Sequence, residues 1–196
     1  VDTAGNVFET TDAMKADNKT RPAGAGTYAV LEATPGWERS GACEWMIDAA
    51  GKLTIRPLPH MERGKLDGWY DSAPWGNRCE SITSVFIERG VVADYCAYMF
   101  RYCKNLVSAD ISNLETSQAQ NMSYMFNGCE KLASIDLSGL STANATNLRS
   151  MFGGCSSLTM LDLSGFDTSN VTDMGCMFYE CASLTALDLG GFDVTN

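Results

Sequence analysis

The sequence predicts an α/β repeat solenoid, a right-handed coil of short parallel strands and short helices behind an N-terminal β cap. The main observation is an internal repeat. The motif Met-Phe-x-x-Cys at Met99–Cys103 returns three more times, each time after 26 residues. Apolar columns keep the same register, and two of them are Leu106, Leu132, Leu158 and Leu184, and Ile111, Leu137, Leu163 and Leu189. This agreement predicts that residues 80–196 stack as one array.

Each repeat is expected to contain a short strand. The pattern L-x-x-L-x-L that ends at Leu163 is, at a period of roughly 20–29 residues, typical of leucine-rich repeats. Leu161 and Leu163 are two residues apart and therefore face one side of a strand, while Asp162 faces outward. Gly165 then allows a tight bend. We expect successive strands to pair in parallel, about 4.8 Å apart, with Leu137 and Leu163 on adjacent strands.

The residues after the bend predict a short helix. Their apolar side chains have the spacing of one helical face; in one repeat they are Val171, Met174, Met177, Phe178 and Cys181. Asn170 and Asp173 would supply an N-cap and an acidic group in the first turn. The methionines that recur every 26 residues then belong to the core, and they are Met99, Met125, Met151 and Met177.

The N-terminal part differs in composition. All four tryptophans lie before residue 80. Residues 1–40 are predicted to be mostly linker, with a strand-like run at 27–31. Residues 41–79 are predicted to form the β cap, because the alternating runs 43–47 and 52–55 flank a turn that contains glycine. We expect this cap to cover the apolar end of the first repeat.

The C-terminal solenoid is expected to be truncated. Its first strand is predicted at 82–87, and the link from there to the Met99 motif is two residues shorter than in later repeats. At the other end, Phe192–Asn196 stops where the next helix should begin. Because an open solenoid end exposes apolar core, we expect further repeats in the parent protein.

Charge and composition exclude several classes of protein. The chain has 24 acidic and 14 basic side chains, a net charge of −10, whereas a nucleic-acid-binding domain needs a basic face. No apolar run reaches the roughly 18 residues of a transmembrane helix. His60, the single histidine, lies in a loop sequence, and no nucleophile elbow, P-loop or HExxH motif accompanies it. We therefore expect neither an enzyme nor a cofactor.

The outward strand positions form the candidate binding face. Its columns are Asp110, Asp136, Asp162 and Asp188, and Ser112, Ser138 and Ser164. Stacked carboxylates repel one another, and a cation or a basic ligand would relieve that repulsion. Alternatively, each Asp hydrogen-bonds neighbouring backbone or Ser at a strand end and has only a structural role. The sequence leaves both interpretations open.

The cysteines of the repeat are expected to be reduced and buried. They form the column Cys103, Cys129, Cys155 and Cys181. Parallel stacking would hold neighbouring Cβ atoms about 5 Å apart, wider than disulfides prefer. A straight ladder also does not converge on a metal ion, so no metal site is predicted. Cys43 and Cys79, at the two ends of the cap, are the best candidates for a disulfide, which secretion would permit.

The repeats resemble a known family. The runs Ser138–Thr142 and Leu161–Met174, followed by the motif that ends at Cys181, are similar to BspA-like leucine-rich repeats. These repeats occur in surface proteins of gut and oral bacteria and of mycoplasmas. The resemblance covers about residues 41–196. It implies an extracellular protein, anchored or secreted, without catalytic residues, that binds protein or glycan of a host or a neighbouring cell.

Two functions are therefore considered. The first is an adhesin-type recognition module that uses the strand face. The second is a structural spacer that displays another domain away from the cell wall. Partner binding by the isolated fragment would distinguish the two.

Overall fold

The computed structural model describes residues 34–193 and residue 195. The strand-like run at 27–31, and most of the linker assigned to residues 1–40, lie outside the described residues. Within them the elements are β1 (Glu38–Ser40), β2 (Cys43–Ile47), β3 (Lys52–Pro57), β4 (Gly64–Lys65), a 3-10 helix (Gly76–Ser81), β5 (Ser84–Ile87), β6 (Val91–Val92), β7 (Ser108–Asp110) and β8 (Ser134–Asp136).

Six strands form one open sheet in the order β1-β2-β3-β5-β7-β8, and β4 pairs with β6 in a second, two-stranded sheet. The predicted hairpin is confirmed, since β2 and β3 pair antiparallel with Trp45 opposite Ile55. From β3 onward the pairing is parallel. The pairing thus changes at β3 from antiparallel in the cap to parallel in the repeats, and one continuous sheet contains both parts.

The register of the parallel strands follows the repeat. Ser84 pairs with Ser108, and Ser108 pairs with Ser134. The first interval is two residues shorter than the second, as the shorter link before Met99 predicted. Asp110 lies opposite Asp136 in the same ladder, which stacks the first two members of the predicted acidic column.

The predicted short helices are wrong: residues 34–193 contain no α-helix. In the Met-Phe segment of the second repeat, Tyr124 and Phe126 donate their N–H groups to carbonyls of the next repeat, both over 2.9 Å. Between them, Met125 donates to Met122 inside its own repeat, over 3.3 Å. An α-helix needs every N–H for a carbonyl four residues earlier. Here alternate N–H groups are used between repeats, so the segment is a series of turns.

Left-handed backbone also interrupts any helix in these turns. Tyr124 has φ 58° and Gly128 has φ 74°, and the counterparts of both in the other repeats are left-handed as well. Such residues end right-handed helices. The apolar spacing of the segment is therefore produced by tandem turns. Asn170, which was predicted to begin a helix, donates its side-chain amide to the carbonyl of Ala143 over 2.9 Å and so links two repeats.

The strands become weaker toward the C-terminus. The N–H of Val107 lies 2.8 Å from the carbonyl of Thr83, but the equivalent distances are 3.4 Å from Ala133 to Val107 and 3.5 Å from Thr159 to Ala133. Bonds of that length are at the limit of hydrogen bonding, and no strand forms around residues 160–163 or 186–189. The prediction that Leu137 and Leu163 lie on adjacent strands is therefore wrong, although both side chains are buried.

The core is continuous from the cap through the repeats. Phenylalanine rings of successive Met-Phe motifs stack, with centroids 5.3 Å apart between Phe100 and Phe126 and 5.7 Å between Phe126 and Phe152. The methionine column is buried as predicted. The last repeat departs from the prediction: Leu189 is 42% exposed and Cys181 is half-buried, because no described repeat packs beyond them.

Candidate functional site

The predicted acidic column begins at the last residues of β7 and β8, Asp110 and Asp136, and continues at the equivalent positions Asp162 and Asp188, where no strand forms. In each repeat a carboxylate oxygen accepts the N–H two residues later, over 3.2 Å from Ser112 to Asp110 and 2.9 Å from Ser138 to Asp136. Asp162 and Asp188 make the same bond with Ser164 and Gly190, at 2.9 and 2.8 Å. Asp is favoured at such positions because its short side chain can satisfy a local backbone donor. The Asp and Ser columns are thus joined in pairs along the chain.

At Asp136 and Asp162 these bonds favour the ionised carboxylate. Hydrogen bonds from Ser138 lower the pKa of Asp136, and those from Ser164 lower the pKa of Asp162. A donor that bonds the ionised form favours ionisation. The side chains remain exposed to solvent, and the described residues contain no group of three or more His, Cys, Asp or Glu side chains that could hold a metal ion. Ligand binding by this face stays a prediction.

A groove of about 420 Å³ crosses the four repeats beside the tandem turns. Tyr102 of the first repeat and Tyr179 of the fourth are its aromatic residues, with 51% and 61% of their surface exposed. Glycines line the space between them, namely Gly128, Gly153 and Gly154. The polar lining residues are Lys104, Asn127, Glu130, Ser156 and Glu180.

Close packing of the Tyr102 ring requires glycine at position 128. The residue has φ 74°, and a Cβ there would lie 2.5 Å from Cδ1 of Tyr102. The Tyr102 ring therefore rests against the bare backbone of the next repeat. Arg101 fixes this ring further, because its guanidinium donates to the Tyr102 hydroxyl over 3.0 Å and lies 4.5 Å from the ring centroid.

Backbone N–H groups along the groove are already hydrogen-bonded between repeats. Gly128 donates its N–H to the carbonyl of Gly153 over 2.8 Å, and Gly154 donates to that of Tyr179 over 2.7 Å. The side-chain amide of Asn127 bonds the Gly153 carbonyl over 2.9 Å. A peptide could not add to this surface as an extra strand, because strand addition uses unpaired backbone groups.

The charged groups of the groove carry both signs. Lys104 pairs with Glu130 over 3.0 Å, and the hydrogen bond to that carboxylate raises the pKa of Lys104. Glu180 lies beside Tyr179, whose pKa its carboxylate raises. Exposed aromatic faces beside mixed donors and acceptors suit a ligand that is rich in hydroxyl groups and has weakly apolar faces.

Sequence reasoning missed this groove, although a signal is present. Inside the strict Met-Phe-x-x-Cys motif the two x positions vary between repeats, although the second and third repeats share glycine at the second position; the pairs are Arg101-Tyr102, Asn127-Gly128, Gly153-Gly154 and Tyr179-Glu180. Neighbouring columns keep one residue type because they pack in the core. Variation at positions framed by core residues marks surface positions. Here two glycine-containing repeats lie between Tyr102, at the second x position, and Tyr179, at the first.

The predicted disulfide candidates Cys43 and Cys79 are not neighbours in a shared site. The Cys43 thiol donates to the carbonyl of Gly64 over 3.1 Å, whereas the Cys79 sulfur lies 2.8 Å from that of Cys103. All eight cysteines are free thiols, of which Cys176 is exposed. The candidate disulfide between Cys43 and Cys79 is therefore not formed, and the partner of Cys79 is the first cysteine of the repeat column.

His60 lies outside these surfaces. It is an exposed turn residue with φ 71°. It lines neither the groove nor the cleft formed by Gly76, Asn77, Cys79, Glu80, Tyr102 and Lys104. None of the described helices has the length and hydropathy needed to span a lipid bilayer.

Comparison with known proteins gives three findings. A search of curated proteins found no match. Among solved structures, the chain is similar to a leucine-rich cell surface protein from Faecalibacterium prausnitzii, with 18% sequence identity and a TM-score of 0.34. The similarity covers 78% of this chain and 54% of that protein, so the chain spans about half its length.

The third finding concerns the repeat region. The profile of a family described as "Mycoplasma protein of unknown function, DUF285" matches residues 94–196. The match includes all four Met-Phe-x-x-Cys motifs and covers more than half of the chain. The protein therefore belongs to the DUF285 family.

Proposed function

We propose that this protein is an extracellular recognition module of a bacterial surface protein, and that it binds glycan in the groove between Tyr102 and Tyr179. The repeats would form a right-handed, leucine-rich-repeat-like solenoid that holds the two tyrosines at a fixed separation. The groove is the observation that carries this proposal. The resemblance of the repeats to those of BspA-like surface proteins supports the extracellular location.

The separation of the tyrosines sets the size of the ligand. They belong to the first and fourth repeats, so three steps between repeats, about 15 Å in total, lie between them. This length suits a short oligosaccharide whose end rings stack on the two phenol faces. The glycine backbone between them would admit the middle of such a ligand without a steric clash.

The chemistry of the groove favours glycan over the other classes of partner. Two glutamates, Glu130 and Glu180, disfavour phosphate and nucleic acid, as does the net charge of −10. The used backbone amides disfavour a peptide strand. These features support a protein that binds glycan.

A neutral-glycan array probed with the chain, followed by calorimetry on the best oligosaccharide, tests the proposal. Tyr179→Ala and Tyr102→Ala should each weaken binding about tenfold or more, since each removes an aromatic stacking surface. Tyr70→Ala is the matched control, because Tyr70 is 93% exposed and does not line the groove. It should leave the affinity unchanged.

Other outcomes would assign a different binding surface or favour a different function. If the array shows no binding and a protein array does, and Tyr179→Ala leaves that binding intact, the glycan groove is wrong. If neither array shows binding, the spacer function is favoured. If binding occurs but is lost in Asp136→Asn/Asp162→Asn and kept in both groove variants, the ligand occupies the strand face.

A further inference from the structure

Two thiols lie in contact at the junction between the cap and the repeats. The sulfur of Cys79, in the 3-10 helix, is 2.8 Å from the sulfur of Cys103, at the end of the first Met-Phe-x-x-Cys motif. A disulfide bond is about 2.05 Å long. The two sulfurs therefore need to approach by less than about 1 Å to become bonded.

Cys103 differs from the other members of its column. Each of the three later thiols donates to a backbone carbonyl of the preceding repeat, at 3.1 Å from Cys129 to Phe100, 3.2 Å from Cys155 to Phe126 and 3.1 Å from Cys181 to Phe152. At the start of the array, Cys79 takes the place of that carbonyl. The other three cysteines of the column need only a hydrogen-bond acceptor at this place, whereas Cys103 has a second thiol there.

The two thiols differ in their access to solvent. Cys79 is 6% exposed and lines the cleft of about 500 Å³ that also contains Asn77, Glu80 and Lys104. Cys103 is fully buried and does not line it. A small reagent in the cleft can therefore reach the sulfur of Cys79 first, while Cys103 is shielded behind it.

We propose that Cys79 and Cys103 are a thiol–disulfide exchange pair, which closes to a disulfide when a small disulfide such as oxidised glutathione enters the cleft. Cys79 is the attacking residue and Cys103 the resolving residue. The product joins the cap covalently to the first repeat. The cleft shares Tyr102 and Lys104 with the glycan groove, but the exchange reaction does not depend on glycan binding.

The reaction balances as two exchanges. The Cys79 thiolate attacks one sulfur of the small disulfide, and the other sulfur leaves as a thiolate, so a mixed disulfide forms on Cys79. Cys103 then loses its proton and attacks the Cys79 sulfur, which releases the second small thiolate. Two protein thiols are oxidised, one small disulfide is reduced to two thiols, and the two protons of the protein thiols protonate the leaving groups.

The electrostatics of the pair agree with this order. The hydrogen bond between the thiols lowers the pKa of Cys79, while the same bond and burial raise the pKa of Cys103. The thiolate is the nucleophile in disulfide exchange. Cys79 is thus the residue that ionises first and reacts first.

Mass spectrometry of the whole chain after incubation with oxidised glutathione tests the proposal. The reaction is quenched with acid, and free thiols are alkylated after denaturation. Trypsin cuts after Arg89 and Arg101, so Cys79 and Cys103 lie on separate peptides. We expect these two peptides to be linked, with a loss of two hydrogen masses. Exposed Cys176 should carry glutathione, which shows that the reagent is active.

Three variants separate the roles. Cys103→Ser should stop at the mixed disulfide on Cys79, and Cys79→Ser should leave Cys103 unmodified. Cys129→Ser, the matched control in the same column, should form the Cys79–Cys103 link as the parent protein does. The proposal is overturned if Cys176 is glutathionylated while Cys79 and Cys103 are both recovered alkylated in the parent protein. It is also overturned if Cys103 links to Cys129 instead.

Discussion

The indole ring of Trp75 stacks on the phenyl ring of Phe100, with centroids 6.1 Å apart and planes inclined by 25°. Its Nε1 also donates to the carbonyl of Met99 over 2.8 Å. Trp75 therefore occupies the place that a phenylalanine of a preceding repeat would take. The cap ends the aromatic column with a residue that is both larger and hydrogen-bonded, and so protects the apolar start of the array from water.

The first prediction concerns this stacked pair. Trp75→Ala should lower the free energy of unfolding by about 3–5 kcal/mol, because it removes a fully buried ring and leaves a cavity. Trp75→Phe should cost less, because stacking on Phe100 is kept and the indole hydrogen bond is lost. Urea unfolding followed by circular dichroism measures both. Tyr70→Ala is the control for an exposed ring; a Trp75→Ala loss as small as that of the control would contradict a role of Trp75 in the core.

A second prediction concerns a column of buried threonines, which are Thr116, Thr142 and Thr168. The Thr142 hydroxyl donates to the carbonyl of Asp167 over 3.0 Å and accepts the N–H of the same residue over 2.8 Å. Thr142→Val keeps the shape and leaves both backbone groups without their partner. We expect a loss of about 1–3 kcal/mol in urea unfolding, and a smaller loss for Thr142→Ser.

Thr146 provides the matched control for that experiment. It is exposed, and its hydroxyl donates to the carbonyl of Gln120 over 3.2 Å, also between repeats. Thr146→Val should have little effect, because water can replace the lost bond. Equal losses at Thr142 and Thr146 would show that burial of the hydroxyl does not matter.

The repeat register and the core columns were predictable from sequence, because they depend on periodicity alone. Met99, Phe100 and Cys103 are buried as expected. Their spacing, however, is shared by a helix and by tandem turns. The two structures differ in which carbonyl accepts each N–H: one four residues earlier in a helix, and one in the neighbouring repeat in these turns. The sequence of a single repeat does not show which carbonyl is used. The helix prediction failed for that reason.

The candidate groove was missed because its residues must be compared between neighbouring repeats. Tyr102 lies over Gly128, which follows it by 26 residues, and neither residue is unusual by itself. The Asp136 column was found from sequence, because it repeats. The hydrogen bonds that occupy its carboxylates depend on the bend geometry, which the sequence indicates only through the neighbouring serines and glycines.

A third prediction separates two contributions of Asp136 to stability: the hydrogen bond from Ser138 at the bend and the negative charge. Asp136→Asn keeps a side-chain oxygen for the N–H of Ser138 and removes the repulsion between Asp136 and Asp162. Because the bonds from Ser138 lower the pKa of Asp136 in spite of that repulsion, the ionised carboxylate stabilises the fold, and Asp136→Asn should lower the melting temperature slightly. Asp136→Ala loses the bond as well and should lower the melting temperature at every salt concentration. A higher melting temperature for Asp136→Asn would show that the repulsion from Asp162 outweighs the bonds from Ser138.

The last prediction concerns stability in acid and rests on Glu44, whose side chain is fully buried in the cap. Its carboxylate accepts hydrogen bonds from the N–H and the hydroxyl of Thr34, over 2.8 and 2.9 Å, and from Nε of Arg56 over 2.8 Å. Burial alone would raise the pKa of Glu44, but the bonds from Thr34 and Arg56 outweigh burial and lower it. The ionised form is thus favoured by the folded state.

A carboxyl group with a lowered folded pKa stabilises the fold above its unfolded pKa, which is about 4.3 for Glu. That contribution is lost as the pH falls from there through the folded pKa. Glu44→Gln cannot ionise, so its deficit in unfolding free energy relative to the parent should be constant above about pH 5 and should shrink below about pH 4. Urea unfolding of both proteins at pH values above and below these limits measures the difference. Because Asp136 and Asp162 titrate in both proteins, their effects cancel in the difference. A deficit that grows toward acid would show that Glu44 is protonated in the fold.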